Sequence, residues 1–180
     1  MRKFLILIIF FIPNISFSNE ALINSLKDGK KIIFIRHAIA PGGGDPESFN
    51  IKKCSTQRNL NDEGKIQSKK IGNFFKKNNI KLGEVLSSEW CRCKDTSFYA
   101  FSNYRTFSGL NSFYDPKFYK NKKKQINSLK KFIKNWDGKS NLILVTHYVV
   151  ILEMLNLGAN SGEIIVTNKD YKTLGRIRID

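Results

Sequence analysis

The segment Lys31-Ile32-Ile33-Phe34-Ile35-Arg36 is a short, almost uninterrupted apolar run, the pattern of a strand covered on both faces. Asn141-Leu142-Ile143-Leu144-Val145-Thr146 repeats it, and Glu84-Val85-Leu86-Ser87-Ser88 is a shorter version. Between these runs the period changes. Ile71, Phe74 and Phe75 share one face of a helix whose other faces carry Lys69, Lys76 and Lys77. Asn61 is the expected N-cap of that helix, with Asp62 and Glu63 at its positive end. Further helices are expected from Trp90 to Phe101, from Lys122 to Trp136 and from Val149 to Asn156. In the second of these, Ile126, Leu129, Ile133 and Trp136 recur at helical spacing. Glu163 to Thr167 and Thr173 to Ile179 read as a strand pair around a turn at Asn168-Lys169-Asp170. Strands alternating with helices predict an α/β fold, a three-layer α/β/α sandwich with a mostly parallel central sheet.

The N-terminus follows another pattern. Arg2 and Lys3 precede the apolar run Phe4 to Ile12, Pro13 and Asn14 break it, and Ser16-Phe17-Ser18 supplies a small-x-small cleavage site. The run is about half the ~20 residues that span a bilayer. Residues 1–18 are therefore expected to be a cleaved export signal, leaving residues 19–180 as one domain with no stable membrane span. Export into an oxidising compartment permits a disulfide. Cys91 and Cys93 are too close in sequence to be an attractive pair, so Cys54 is expected to bridge to one of them. No histidine lies at ligand spacing near the cysteines, and a zinc site is not expected.

Charge complicates the picture before it clarifies it. The chain carries 31 Lys+Arg against 15 Asp+Glu, a formal net of +16, which taken alone suits a nucleic-acid or anionic surface. However, 24 of the basic residues are Lys spread along the whole chain as surface filler, and no aromatic-basic motif accompanies them. No nucleic-acid partner is expected. The seven arginines and two histidines are placed more selectively. His37 and His147 each end a buried strand, and ligands of open parallel sheets bind beyond the carboxyl ends of strands. If the two strands are parallel neighbours, both histidines emerge on one edge. Arg36 precedes His37, Arg92 follows the Ser87-Ser88 strand end, and Arg58 lies just before the helix capped by Asn61. Guanidinium offers a planar fork for phosphate oxygens that ammonium cannot match. Structural ion pairs are the competing explanation, but few carboxylates lie close in sequence to these arginines. Gly42-Gly43-Gly44 meets neither nucleotide-binding fingerprint, and reads as a mobile loop or one folded over the site.

Four segments in order then resemble a known family. Arg36-His37-Ala38 is similar to the RHG/RHA motif of the histidine phosphatase superfamily, which includes phosphoglycerate-mutase-like enzymes. Arg58-Asn59-Leu60-Asn61-Asp62-Glu63-Gly64 resembles its R-x-L-[ST]-x-x-G stretch, and the segment from Ser87 to Thr96 its S-S-x-x-x-R-x-x-x-T stretch. Val145-Thr146-His147 resembles the second histidine motif. The resemblance spans roughly residues 31 to 157. It implies that His37 is a nucleophile forming a phosphohistidine that water hydrolyses, and that Arg36, Arg92 and His147 grip the phosphoryl oxygens with Arg58 approaching the same pocket. No metal and no cofactor is implied, since the arginines supply the positive charge.

Two departures from the family pattern bear on the chemistry. Where many members carry L-x-E with a proton-donating Glu, this chain has Leu110-Asn111-Ser112, and Tyr148 stands where others place Asp after the second histidine. Asp45, Asp115 and Glu89 remain as candidate acids. Loss of a general acid costs ~10²- to 10⁴-fold on a poor leaving group and much less on a phosphohistidine or acyl phosphate. The chain is too short for large cap insertions, so an open pocket is expected. The expected activity is an exported, periplasmic phosphatase for a small-molecule or envelope-linked phosphorylated substrate. Phosphorylated lipopolysaccharide sugars are one option, since some exported relatives act there. A catalytically weak or inactive phosphate-binding member of the same fold is the alternative.

Overall fold

β1 (Ile32–Arg36) runs through the middle of the molecule, and its residues Ile32, Ile33, Phe34 and Ile35 are completely buried. The computed structural model describes residues 19–179, and the expected export signal, residues 1–18, lies outside the described residues. On one side β1 pairs in parallel with β4 (Asn141–Thr146), a strand buried along its full length. Beyond β4 lie β2 (Leu82–Ser87), also parallel, and the two-residue β3 (Arg105–Thr106). On its other side β1 pairs antiparallel with β5 (Ile164–Thr167), which pairs antiparallel with β6 (Thr173–Ile177). The sheet order is β3-β2-β4-β1-β5-β6. Its parallel core matches the expectation, with the antiparallel pair added at one edge.

Strand alternation sends neighbouring residues to opposite faces, and two cores result. Ile33, Ile35, Ile143 and Val145 pack with Leu22 and Leu26 of α1 (Asn19–Lys27), Ile71 and Phe75 of α2 (Asp62–Lys77), and Cys93 of α3 (Cys91–Phe101). Ile32, Phe34, Leu142 and Leu144 face Ile126, Leu129 and Ile133 of α5 (Lys122–Asn135), with Val150, Ile151 and Met154 of α6 (Tyr148–Leu155). The short α4 (Pro116–Tyr119) precedes α5. Each face of the sheet thus takes the apolar stripe of its own helices, and the lysines of α2 and α5 point outward.

The elements around the sheet's carboxyl edge start where the sequence says they should. The Asn61 side chain accepts from the Gly64 amide at 2.9 Å and caps α2. Gly64 has a second duty: a Cβ there would overlap the Ile39 carbonyl oxygen, so only glycine lets α2 begin this close to the loop that follows His37. Cys54 is joined to Cys91, and Cys93 stays a buried free thiol. Of the two expected pairings the bridge uses Cys91 because that residue opens α3 toward the 46–57 loop, whereas Cys93 points into the core. No described helix is long and apolar enough to cross a membrane.

Candidate active site

Arg36 of β1 is in register with Thr146 of β4, so the next residue of each strand, His37 and His147, stands at the same sheet edge. The His37 amide donates to the Thr146 carbonyl at 2.9 Å, and the two ring centroids are 5.5 Å apart. Thr96, one helical turn after Arg92 in α3, fixes the chain beyond His37. It accepts from the Ala38 amide at 3.0 Å while donating to the Arg92 carbonyl at 2.7 Å. The sequence motifs are thereby stitched to each other.

Hydrogen bonding sets both tautomers. Nδ1 of His37 donates to the Ala38 carbonyl at 2.8 Å, because a carbonyl can only accept. Nε2 is left with its lone pair. Burial, reinforced by the Arg92 charge, holds this imidazole well below its ordinary pKa, so it is neutral at neutral pH. His147 is neutral for the same reasons, burial first and Arg92 next. Its Nδ1 faces Arg92 Nη2 at 3.4 Å, a group that can only donate. Nε2 therefore carries the hydrogen and donates to Ser88 Oγ at 2.8 Å, and Ser88 donates onward to Asn111 Oδ1 at 3.1 Å. Asn111 in turn donates to Glu89 Oε2 at 2.5 Å.

The three arginines named from the sequence converge on this pair of rings, and each is held in the same way. Arg36 Nη1 donates to the Ala159 carbonyl at 2.8 Å, Arg58 Nη1 to the Ala40 carbonyl, and Arg92 Nη1 to Asp45 Oδ1 at 2.8 Å. In each, Nε is buried and has no hydrogen-bond partner among the described residues. Three donors that are both desolvated and unpaired are costly unless a ligand satisfies them. Burial pulls the Arg36 and Arg58 pKa values below their ordinary level, with the charge of Arg92 adding to it, yet guanidinium stays protonated at any physiological pH. Together these groups line a cavity of about 390 Å³ with His37 and His147.

The carboxylates contradict part of the sequence reading. Few acids lie near the arginines in sequence, but Asp45 reaches Arg92 from 47 residues away and forms a buried ion pair. Burial would raise the Asp45 pKa; hydrogen bonds from Arg92, the Arg58 amide and the Trp90 indole outweigh it and hold the value below the usual carboxylate range. A group held ionised in this way does not suit proton donation. Glu89 is engaged with Asn111 and is not part of the cavity lining, so it too is displaced as a candidate acid. Asp115 does line the cavity, but its side chain caps α4 by accepting from the Lys117 amide at 2.9 Å. Ser112 lines the cavity at the position of the missing L-x-E glutamate.

Most of the remaining cavity wall lies outside the sequence motifs. The loop with Gly42, Gly43, Gly44 and Asp45 lies along it, together with Trp90, Tyr114 and Phe118. Trp90 stacks on Phe49 with centroids 5.1 Å apart and meets Phe118 and His147 edge-on. Tyr148, in the place of an expected acid, puts its ring 5.6 Å from the Arg36 guanidinium. Among the described residues no three His, Cys, Asp or Glu side chains are grouped so as to hold a metal ion.

This is the phosphoglycerate-mutase-like α/β fold, a six-stranded sheet flanked by helices. No family model matches the chain, and no curated protein does. Among solved structures, a protein histidine phosphatase, SixA, complexed with tungstate superposes with a TM-score of 0.57 at 14% identity, covering 82% of this chain and 96% of that one. A putative phosphohistidine phosphatase SixA from Agrobacterium tumefaciens gives 0.58 at 16% identity, covering 82% and 97%. Phosphoglycerate mutase from Thermus thermophilus gives 0.56 at 14% identity, covering 83% and 99%. At these identities the likeness is one of fold.

Proposed function

We propose that the chain is a histidine phosphatase, hydrolysing a phosphomonoester or phosphoramidate through a phosphohistidine on His37. The observation that carries the reading is the ring of three tethered arginines, each with a buried unpaired Nε, around a neutral imidazole whose Nε2 lone pair is fixed by its own Nδ1 bond. In the first step Nε2 attacks phosphorus, a P–N bond forms, and the P–O or P–N bond to the leaving group breaks. In the second, water attacks phosphorus, the bond to His37 breaks, and inorganic phosphate leaves. Phosphoryl transfer of this kind needs positioning and charge stabilisation above all, and the guanidinium groups supply both without a metal.

The leaving group is the weak point of the site. Asp45 is committed to Arg92 and Asp115 to α4, so substrates that depart without full protonation, such as acyl phosphates, aryl phosphates or phosphohistidine, fit best. The same feature favours the second reading, a catalytically weak or inactive phosphate-binding protein of the same fold. The neighbour bound to tungstate, an analogue of phosphate, is consistent with either. The apolar N-terminal run supports export, with a small-molecule or envelope-linked phosphate as the substrate. Turnover of p-nitrophenyl phosphate by the purified protein in the presence of a chelator separates the readings. Hydrolysis supports the phosphatase, whereas phosphate binding with no hydrolysis supports the binding protein.

A further inference from the structure

Of the three arginine tethers, two are backbone carbonyls, from Ala159 and Ala40. The third is a side chain. Asp45 Oδ1 accepts from Arg92 Nη1 at 2.8 Å and from the Arg58 amide at 3.0 Å, and Oδ2 accepts from the Trp90 indole at 3.0 Å. The Asp45 and Arg92 side chains are only 9% and 4% exposed, so the pair is nearly free of competing water. Such charge-assisted bonds are short and directional. Holding Nη1 fixes the direction of the other edge of the guanidinium, Nε and Nη2. That Nε is buried without a partner among the described residues, and Nη2 lies 3.4 Å from His147 Nδ1. One carboxylate thus ties the glycine loop, the backbone of Arg58 and the side chain of Arg92 into one frame.

We infer that Asp45 is a positioning residue which turns the Nε–Nη2 edge of Arg92 toward the bound phosphoryl group. The inference rests on the reading of this cavity as a phosphate site. Charge alone argues for the opposite effect. A carboxylate beside an anion site repels the anion, so if Asp45 acted only through its charge, removing it would tighten phosphate binding. If it acts by orienting Arg92, removing it weakens binding, because the freed guanidinium swings between the Arg58 carbonyl, 3.4 Å away, and His147. The sign of the change therefore decides between the two roles.

The test uses calorimetric binding of inorganic phosphate, and kcat/KM for p-nitrophenyl phosphate, in the wild type, Asp45→Ala, Asp45→Asn, Arg92→Ala and the Asp45→Ala/Arg92→Ala double variant. Asp45→Ala is expected to weaken phosphate binding and to lower kcat/KM by on the order of 10²-fold. Asp45→Asn keeps an acceptor for Arg92 Nη1 and recovers part of that loss. In the Arg92→Ala background, removing Asp45 costs less than about threefold, because the group it positions is gone. Tighter phosphate binding in Asp45→Ala overturns the inference, as do equal losses in both backgrounds. Binding is read without turnover. A wild type that binds phosphate but hydrolyses nothing therefore refutes the phosphatase and leaves the role of Asp45 measurable, whereas one that binds no phosphate overturns both.

Discussion

His37 and His147 are buried, neutral and beside Arg92, and this sets how the protein responds to acid. Unfolded, each imidazole takes a proton near pH 6.5; folded, each refuses it until a much lower pH. Stability is therefore level above about pH 6.5 and falls as the pH drops below it, by up to ~1.4 kcal/mol per pH unit for each histidine. Asp45 acts lower. Its depressed pKa gives stability that is full above the ordinary carboxylate value of about 3.9 and is lost as the pH falls through the folded value. Urea melts between pH 5 and 8 check the histidine effect, and a flat midpoint down to pH 5 would contradict it. Arg92→Lys should lower kcat/KM by roughly 10²- to 10³-fold, since an ammonium cannot replace the fork; steady-state kinetics on a correctly folded variant reads this directly. That these arginines and histidines gather at one cavity was legible in the sequence, because they stand at strand ends where lysine is elsewhere the filler. What holds them was not. The acceptors for Arg58, Arg92 and Arg36 lie 18, 47 and 123 residues away, and local sequence carries no trace of such pairs.

Among elements, the 46–57 loop and the start of α3 are joined by both a hydrogen bond and a covalent bridge. Gln57 Oε1 accepts from the Cys91 amide at 2.9 Å, and the Cys54–Cys91 bridge closes a separation of 37 residues. Chain-entropy reasoning values such a closure at about 4 kcal/mol, or roughly 10 °C in Tm for a domain of this size. Melting with and without reductant should show that shift, together with weaker phosphate binding, because Arg58 and Arg92 adjoin the bridged residues. An unchanged Tm in reductant would contradict it. Gly64→Ala should destabilise by about 2 kcal/mol or more and reduce activity as well, since the added Cβ pushes α2 against Ile39, two residues from His37; a denaturation curve beside an activity assay tests both. Periodicity locates the long elements to within a residue or two. The short ones escape it. β3 has only two residues. α1 offers only Leu22 and Leu26 as a buried pair. The Asp115-Pro116 start of α4 is a helix signal, an N-cap followed by Pro at the first position, in a place where the family pattern draws attention to Asp115 as an acid.

At the scale of the molecule, no cap domain is inserted among the described residues. The loop from Pro41 to Gln57 supplies a wall in place of a cap, held by Asp45 on Arg92 and by Phe49 on Trp90. This could not be read from sequence, because Phe49, Trp90 and Phe118 meet only once the sheet has brought α3 and α4 to the same edge. Substrates should therefore differ in how they fill an aromatic wall as well as in their phosphate. The apolar N-terminal run leads to an expectation about processing. The mature protein should begin at Asn19, and mass spectrometry that finds Met1 or Arg2 on a membrane-bound protein would contradict it.

The central claim is that His37 carries the phosphoryl group, and rapid quench with a labelled phosphoester tests it most directly. The wild type should yield a phosphoenzyme labile in acid and stable in base, as phosphoramidates are, with turnover unaffected by chelators. His37→Ala should yield none, while His147→Ala should still bind phosphate and react about 10²- to 10³-fold more slowly. Full activity in His37→Ala, or an absolute need for an added divalent metal, would contradict the account.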